Sequence, residues 1–428
     1  MAEPTAQERF SPGYRAYVLG ILLVAYILNF IDRSIFGVLL PQIKAELALH
    51  DWQLGVLGGM AFALFYATVG LPIARWADRG HRVNIITLAI IVWSAMTALC
   101  GAAASFVQLF LFRAGVGVGE AGATPPSHSI IGDIYPPERR ASAMGIYAIG
   151  VFAGGALGLF IGGWLAQLYG WRVAFLAVGL PGVLVALLVK LTVREPPRGL
   201  SEGRVADAGA HATVWETMRL VWSRPTFRNI AFGKGLISII IYSNQIWVPS
   251  FLSRSHGLEL SQIGTALGAV TLAAGMAGVV IGGFLSDWLG KRDPRWWMWL
   301  TAVANMLTLP FAIAAYLVSD LWLALACLFV PTVTIGFNTA PGFSITQRLV
   351  GLRMRAMVSA ILLFIISLIG SGIGPFLVGL ASDALTHTYG VESLRYALVA
   401  AQGFVVWSCW HYYLAGRTVA ADLARAPP

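Results

Sequence analysis

The chain has 428 residues, of which 57% are hydrophobic and 11% charged, with a net charge of +9 at pH 7. Soluble proteins carry about a quarter charged residues, so this composition excludes a soluble enzyme or binding domain, and the long continuous apolar runs exclude a barrel of short strands. The positive balance calls for no nucleic acid, because membrane proteins concentrate Arg and Lys in the connections on one side.

The stretch from Met1 to Tyr14 is polar and does not read as a cleaved signal peptide. Twelve apolar runs then follow, each near the roughly 20 residues that cross a bilayer as a helix. In the first half they are residues 17–40, 53–74, 83–104, 106–131, 142–167 and 172–192. In the second half they are 227–251, 262–286, 296–317, 321–347, 357–381 and 394–414. The expected organisation is a six-helix half over 1–193, a linker over 194–226 and a second six-helix half over 227–428. The linker opens with Glu195-Pro196-Pro197-Arg198-Gly199, and Ala212 to Val221 has the pattern of a short amphipathic helix at the membrane surface. Cys100, Cys327 and Cys409 are scattered in apolar runs and predict neither a disulfide framework nor a metal site.

Topology is read from the cations. Alternate connections carry Arg75, Arg79, Arg82, Arg139, Arg140, Lys291, Arg292, Arg295, Arg353 and Arg355, and the Arg-rich linker lies on the same side. The opposite connections hold little beyond Lys44, Arg172, Arg254 and Arg395. This asymmetry predicts that both termini and the linker are cytoplasmic. The abundance of Arg and the short loops fit a bacterial inner membrane.

Two ionic pairs lie deep in apolar runs: Asp32 with Arg33 in span 1, and Arg113 with Glu120 in span 4. Each charge costs about 2.5 to 3.5 kcal/mol to insert at a helix centre, so each needs a partner on a neighbouring helix or a wet cavity. Depth counting along the antiparallel spans favours Asp32 with Arg113, and brings Glu120 to Arg33 only if the helices are staggered or tilted. Glu120 and Asp32 are the candidate proton carriers, since an apolar surrounding favours the neutral acid and a nearby guanidinium favours the carboxylate. Arg33 and Arg113 are their charge partners, or the groups that meet an anionic head group. The bland alternative is a fixed ion pair joining spans 1 and 4.

The two halves repeat. Ala74-Arg75-Trp76-Ala77-Asp78-Arg79-Gly80-His81-Arg82 follows span 2, and Gly283-Phe284-Leu285-Ser286-Asp287-Trp288-Leu289-Gly290-Lys291-Arg292 follows span 8. Each sets an acid at the cytoplasmic end of a span before a tight basic turn. Such paired halves belong to transporters that bind at the bilayer midplane.

The motif Gly283-x-x-x-Asp287-x-x-Gly290-x-Arg292 resembles the loop signature of the major facilitator superfamily; the first copy departs from it at Ala74 and in its shortened turn. Within that superfamily the chain is similar to the spinster group of lipid transporters. The matching residues are Asn29-Phe30-Ile31-Asp32-Arg33, Ala77-Asp78-Arg79, Arg113-x-Gly115-x-Gly117-x-Gly119-Glu120-Ala121 and Pro136-Pro137-Glu138-Arg139-Arg140. The resemblance implies an all-α membrane fold of twelve helices in two pseudo-symmetric halves. It also implies movement of a single-chain lipid such as a lysophospholipid or sphingosine phosphate, coupled to protons and requiring no cofactor. Asp78, Arg82, Asp287, Arg292, Arg139 and Arg140 are then expected in gating contacts. A six-plus-six chain forms a complete pathway as a monomer.

Several other patterns are weighed on their own chemistry. Gly115-x-Gly117-x-Gly119 lies inside a span, without the strand and turn of a nucleotide motif. Gly150, Gly154, Gly158 and Gly162 form a ridge for close helix approach, or for rocking against the other half. Gly374-Pro375 predicts a kink in span 11; Pro331 and Pro341 predict a broken or bending span 10. The second half has no intramembrane acid; Asn29 of span 1, with Tyr242, Asn244 and Gln245 of span 7 and Asn338 of span 10, are candidate cavity residues, beside Lys234 and Thr339. Charge on one side and an apolar wall on the other suit an amphiphile. A proton-coupled exporter of drugs or organic anions, a receptor without flux, and a membrane enzyme are the alternatives; the last lacks any visible nucleophile set or metal cluster.

Overall fold

The computed structural model describes residues 10–198, 200, 214–351 and 354–425. Helices account for nearly all of them, and no strand occurs among the described residues. Nine helical stretches there have the length and apolar character of a membrane crossing. Two of these, Pro137–Thr192 and Met357–Ala424, each hold two predicted spans. Phe106–Glu120 and Thr124–Ile134 together make span 4, which brings the crossings to twelve.

The first half runs through Pro12–Leu47 (span 1), Asp51–Gly58 and Met60–Arg79 (span 2), Arg82–Cys100 (span 3), then span 4 and Pro137–Thr192 (spans 5 and 6). Gly170, at φ 83°, separates spans 5 and 6; only glycine adopts that backbone easily. Ser105 accepts from Gln108 N at 3.3 Å and starts span 4 as an N-cap. The linker helix is Val214–Trp222, within one residue of the predicted end.

The second half runs through Pro225–His256 (span 7), Leu260–Gly290 (span 8), Trp296–Leu317 (span 9) and Leu321–Arg348 (span 10). Span 11 is Arg355–Ile365, a π-helical stretch Ile366–Ile373, and Gly374–Tyr389. Span 12 is Ser393–Ala401 with Gly403–Ala424. The bend expected at Pro375 thus takes the form of a widened helix just before it, a common response where the backbone ladder is interrupted. Span 10 is not broken: it stays helical through Pro331 and Pro341, and the carbonyl that Pro341 leaves without its helical donor is served from another span. Thr301 Oγ1 donates to Phe337 O at 3.2 Å, the acceptor four residues before Pro341. Lys234 Nζ donates to the next carbonyl, Asn338 O.

By internal packing the chain divides into two units. One lies within Met1–Leu47 and Ala61–Gly209, the other within Ala48–Met60 and Ala210–Pro428. The start of span 2 therefore packs with the second half. Backbone breaks bracket this segment: Ala48 has φ 50°, and Gly59 has φ −112°, ψ −84°.

The core of the first unit joins Val18, Leu22, Ile86, Ile90, Trp93, Ile130, Tyr147 and Ala186 from spans 1, 3, 4, 5 and 6. Its glycine ridge faces span 1 of the same unit. A Cβ at Gly154 would meet Ile27 O at 2.5 Å, and one at Gly158 would meet Ile31 O at 2.7 Å. Outward faces carry exposed Leu184, Leu187, Leu191, Val280, Phe284 and Leu307, surface that favours lipid over water.

Candidate functional site

The four intramembrane charges gather in the first unit. Arg33 Nε donates to Glu120 Oε2 at 2.5 Å, and Glu120 is fully buried. This corrects the depth-counted pairing of Asp32 with Arg113. Helical side chains lean toward the N-terminus of their own helix. Spans 1 and 4 are antiparallel, so Arg33 and Glu120 lean toward each other along the bilayer normal, whereas Asp32 and Arg113 lean apart. Asp32 instead accepts from Thr97 Oγ1 of span 3 at 3.2 Å.

Glycines bring these helices to that distance. A Cβ at Gly117 would meet Phe62 O at 2.5 Å, and one at Gly119 would meet Trp93 N at 2.5 Å. The Gly-x-Gly-x-Gly run thus lets span 4 touch the backbones of spans 2 and 3. Glu120 ends the first segment of span 4, where the chain turns before Thr124.

Aromatic rings surround both cations. The Arg33 guanidinium lies 4.8 Å from the Phe62 ring, 4.9 Å from Tyr66 and 5.1 Å from Phe30. Arg113 lies 4.5 Å from Phe36 and 5.6 Å from Phe62, so Phe62 serves both. Cation–ring attraction is strongest where water is excluded. Asn29, one turn before Arg33, lies beside the Glu120 carboxyl. Asp32 Oδ1, Glu120 Oε1 and Arg113 Nε are buried without a hydrogen-bond partner among the described residues. A polar group left so in an apolar interior is costly, and a proton or a polar partner relieves that cost.

The predicted loop residues separate into different roles. Arg82 is fully buried and donates to Glu195 Oε1 at 2.6 Å, Ser129 Oγ at 2.7 Å, Pro196 O at 2.5 Å and Asp133 Oδ2. Arg198 closes the preceding turn by donating to Ala77 O at 2.8 Å and Gly80 O at 2.7 Å. The start of the linker is therefore fixed to the first unit. The side chain of Asp78 lies outside the described residues, as do Arg353 and the side chain of Thr339. Asp287 and Arg139 are exposed, Arg140 is half-buried, and Arg292 stacks on Trp288 at 4.2 Å. No ion pair joins Asp287 to Arg292 among the described residues.

In the second unit, Asn338 is committed to packing. Its amide exchanges hydrogen bonds with Asn305 at 3.0 and 3.2 Å. Asn244 accepts from Tyr316 Oη at 2.9 Å, while Tyr242 and Gln245 are half-buried. Lys234 is buried and lies 4.7 Å from the Phe343 ring. Sequence reasoning noted Lys234 without a partner and passed over Asn305, Asp133 and Glu195 as site partners. Pro341 was the available signal for Thr301, because an intrahelical proline leaves the carbonyl four residues before it in need of an outside donor.

The comparisons agree with this architecture. The family model described as Major Facilitator Superfamily matches residues 22–375. An MFS-type efflux pump of Mycolicibacterium smegmatis is 35% identical over 419 residues, covering 97% of this chain and 96% of the relative. Human protein spinster homolog 1 is 26% identical, over 89% of this chain and 75% of its own. Among solved structures, a bacterial homolog of the human lysosomal transporter spinster, inward-facing and unoccupied, matches with a TM-score of 0.86 and 36% identity, covering 96% of this chain and 99% of that one. The chain belongs to the major facilitator superfamily: a multi-pass membrane transporter of the major facilitator fold, not an enzyme.

Proposed function

We propose that this major facilitator is a proton-coupled secondary transporter that moves an anionic single-chain lipid, of lysophospholipid or sphingosine-phosphate type, by alternating access. The observation that carries the reading is the buried Arg33–Glu120 pair, set beside Asp32 and Arg113 in a ring of aromatic side chains. Glu120 and an anionic head group compete for the Arg33 guanidinium. A proton on Glu120 removes the competing charge and frees Arg33, still held by its rings, to meet the anion. Loss of that proton restores the pair and expels the anion. Asp32, with one carboxylate oxygen unpartnered, is the second proton carrier, and Arg113 is the second cation for the head group.

The cations and rings supply a charged end and an apolar end, which suits an amphiphile. Half-buried Tyr242 and Gln245 are the polar contacts proposed on the second half. Asp78, Arg82, Asp287, Arg292, Arg139 and Arg140 are assigned to gating at the cytoplasmic end. The protein sits in a bacterial inner membrane with both termini cytoplasmic and works as a monomer, driven by the proton gradient.

A second reading, proton-coupled export of drugs or organic anions, is favoured by the relative named as an efflux pump. Lysophospholipid flux in proteoliposomes, competed with organic anions, separates the two. Flux of lipid that organic anions leave unchanged supports the lipid reading; flux of anions alone overturns it. A receptor without transport would carry neither.

A further inference from the structure

Asp32 has one hydrogen-bond partner among the described residues, the Thr97 hydroxyl of span 3, which donates to Oδ2 at 3.2 Å. The other carboxylate oxygen, Oδ1, is buried with none. Asp32 and Thr97 are both buried, so water does not replace this contact.

Thr97 departs from the habit of its residue type. A threonine inside a helix ordinarily turns its hydroxyl back to the carbonyl four residues earlier. Thr87 of the same span does so, donating to Val83 O at 2.8 Å, and Thr68, Thr332 and Thr346 do the same on other spans. For Thr97 that carbonyl is Trp93 O, and the hydroxyl is directed to Asp32 instead.

Close packing on two flanks holds span 3 in this register. A Cβ at Gly119 of span 4 would meet Trp93 N at 2.5 Å, and one at Gly179 of span 6 would meet Ala98 N at 2.6 Å. Arg33 on its own span, Arg113 and Glu120 of span 4 and the Cys100 thiol of span 3 are the charged and titratable groups that act on Asp32.

A carboxylate only accepts hydrogen bonds, whereas the neutral acid must also donate one. A hydroxyl can meet both needs, because it donates and accepts. Toward the carboxylate, Thr97 donates to Oδ2. When a proton bonds to Oδ2, the new O–H donates to Thr97 Oγ1, and the Thr97 hydroxyl turns its own proton to Trp93 O. Loss of the proton reverses both rotations. Thr97 keeps its proton throughout, and the one that Asp32 gains or loses is exchanged with water.

We propose that Thr97 is a positioning residue for proton carriage by Asp32, its hydroxyl reversing the direction of their hydrogen bond so that both forms of a buried carboxyl stay partnered. The inference rests on the reading of Asp32 as a proton carrier, and needs neither the lipid substrate nor Glu120.

Infrared difference spectra of the full chain in liposomes, taken between acidic and alkaline pH with no substrate, test it. The carboxylic-acid band of Asp32 is the one that Asp32→Asn removes. That band is expected at one frequency in wild type and Thr97→Ser. In Thr97→Val, which keeps the shape of threonine, the neutral acid has no hydroxyl to donate to, and its C=O band is expected at higher frequency. Thr97→Ala takes the place of Thr97→Val if the latter does not fold. An Asp32 band at the wild-type frequency without the Thr97 hydroxyl overturns the role of Thr97 and leaves the proton reading standing. Absence of any band that Asp32→Asn removes overturns the inference together with Asp32 as a proton carrier. Neither result depends on the lipid flux assay.

Discussion

Arg33 Nε lies 2.5 Å from Glu120 Oε2, across two antiparallel spans, with the carboxylate fully buried and the guanidinium in contact with three aromatic rings. That pairing carries the proposed proton coupling. One member is fixed by rings that do not depend on the other member's charge. Protonation therefore breaks the ion pair without dislodging the cation.

Arg33→Lys is predicted to cut flux by at least tenfold, although it keeps the charge. A lysine ammonium loses the planar group that meets a carboxylate and stacks on rings at once. Initial rates in proteoliposomes of equal protein content check this, and flux within twofold of wild type would contradict it.

Arg82→Met is predicted to be the most destabilising single change at the linker end of the first unit. It removes the buried guanidinium that both Asp133 and Glu195 accept from, a loss of about 3 to 5 kcal/mol for breaking a buried pair by removing one partner. Glu195→Gln keeps the hydrogen-bonding shape and is predicted to cost less than half as much. Thermal unfolding in detergent, followed by aggregation, ranks the two.

Thr301→Val is predicted to cost about 1 to 3 kcal/mol, the penalty for leaving a buried acceptor unsatisfied, because Phe337 O loses the hydroxyl that serves it beside Pro341. Adding Pro341→Ala restores a backbone N–H for that carbonyl. The double variant is predicted to recover most of the loss, and an additive cycle would sink this account of span 10.

Gly117→Val is predicted to abolish monodisperse protein, since its Cβ already meets the Phe62 carbonyl. Gly132→Ala, with no atom within 4 Å of a Cβ there, is predicted to behave as wild type. Size-exclusion profiles of the two compare them directly.

The twelve spans were legible because an apolar helix must satisfy its backbone internally, and this writes long uninterrupted runs into the sequence. The charged residues were legible for the same reason, as exceptions within those runs. Their pairing was not, because depth counting treats side chains as points on the helix axis; Arg33 is long and leans toward Glu120, while Asp32 leans away from Arg113. The Arg82 cluster was half visible: the cation stood out, but Glu195 and Asp133 are far from it in sequence and ordinary in type. Arg254 read as a connection charge, and Asp51 was not singled out. Their contact joins residues about 200 positions apart, which the sequence does not mark. Lys234 was visible as a lone cation, but its acceptor, Asn338 O, lies on another helix and is a backbone atom that the sequence does not mark.

The most direct test of the central claim is lysophospholipid flux in proteoliposomes, with and without an imposed pH gradient, for wild type and Glu120→Gln. The amide keeps the shape of the acid and cannot exchange its charge. Wild-type flux is predicted to change at least fivefold with the gradient, and Glu120→Gln flux to be insensitive to it. A gradient response that persists in Glu120→Gln would contradict the account, removing the Arg33–Glu120 pair from the proton path and leaving it a structural bond between spans 1 and 4.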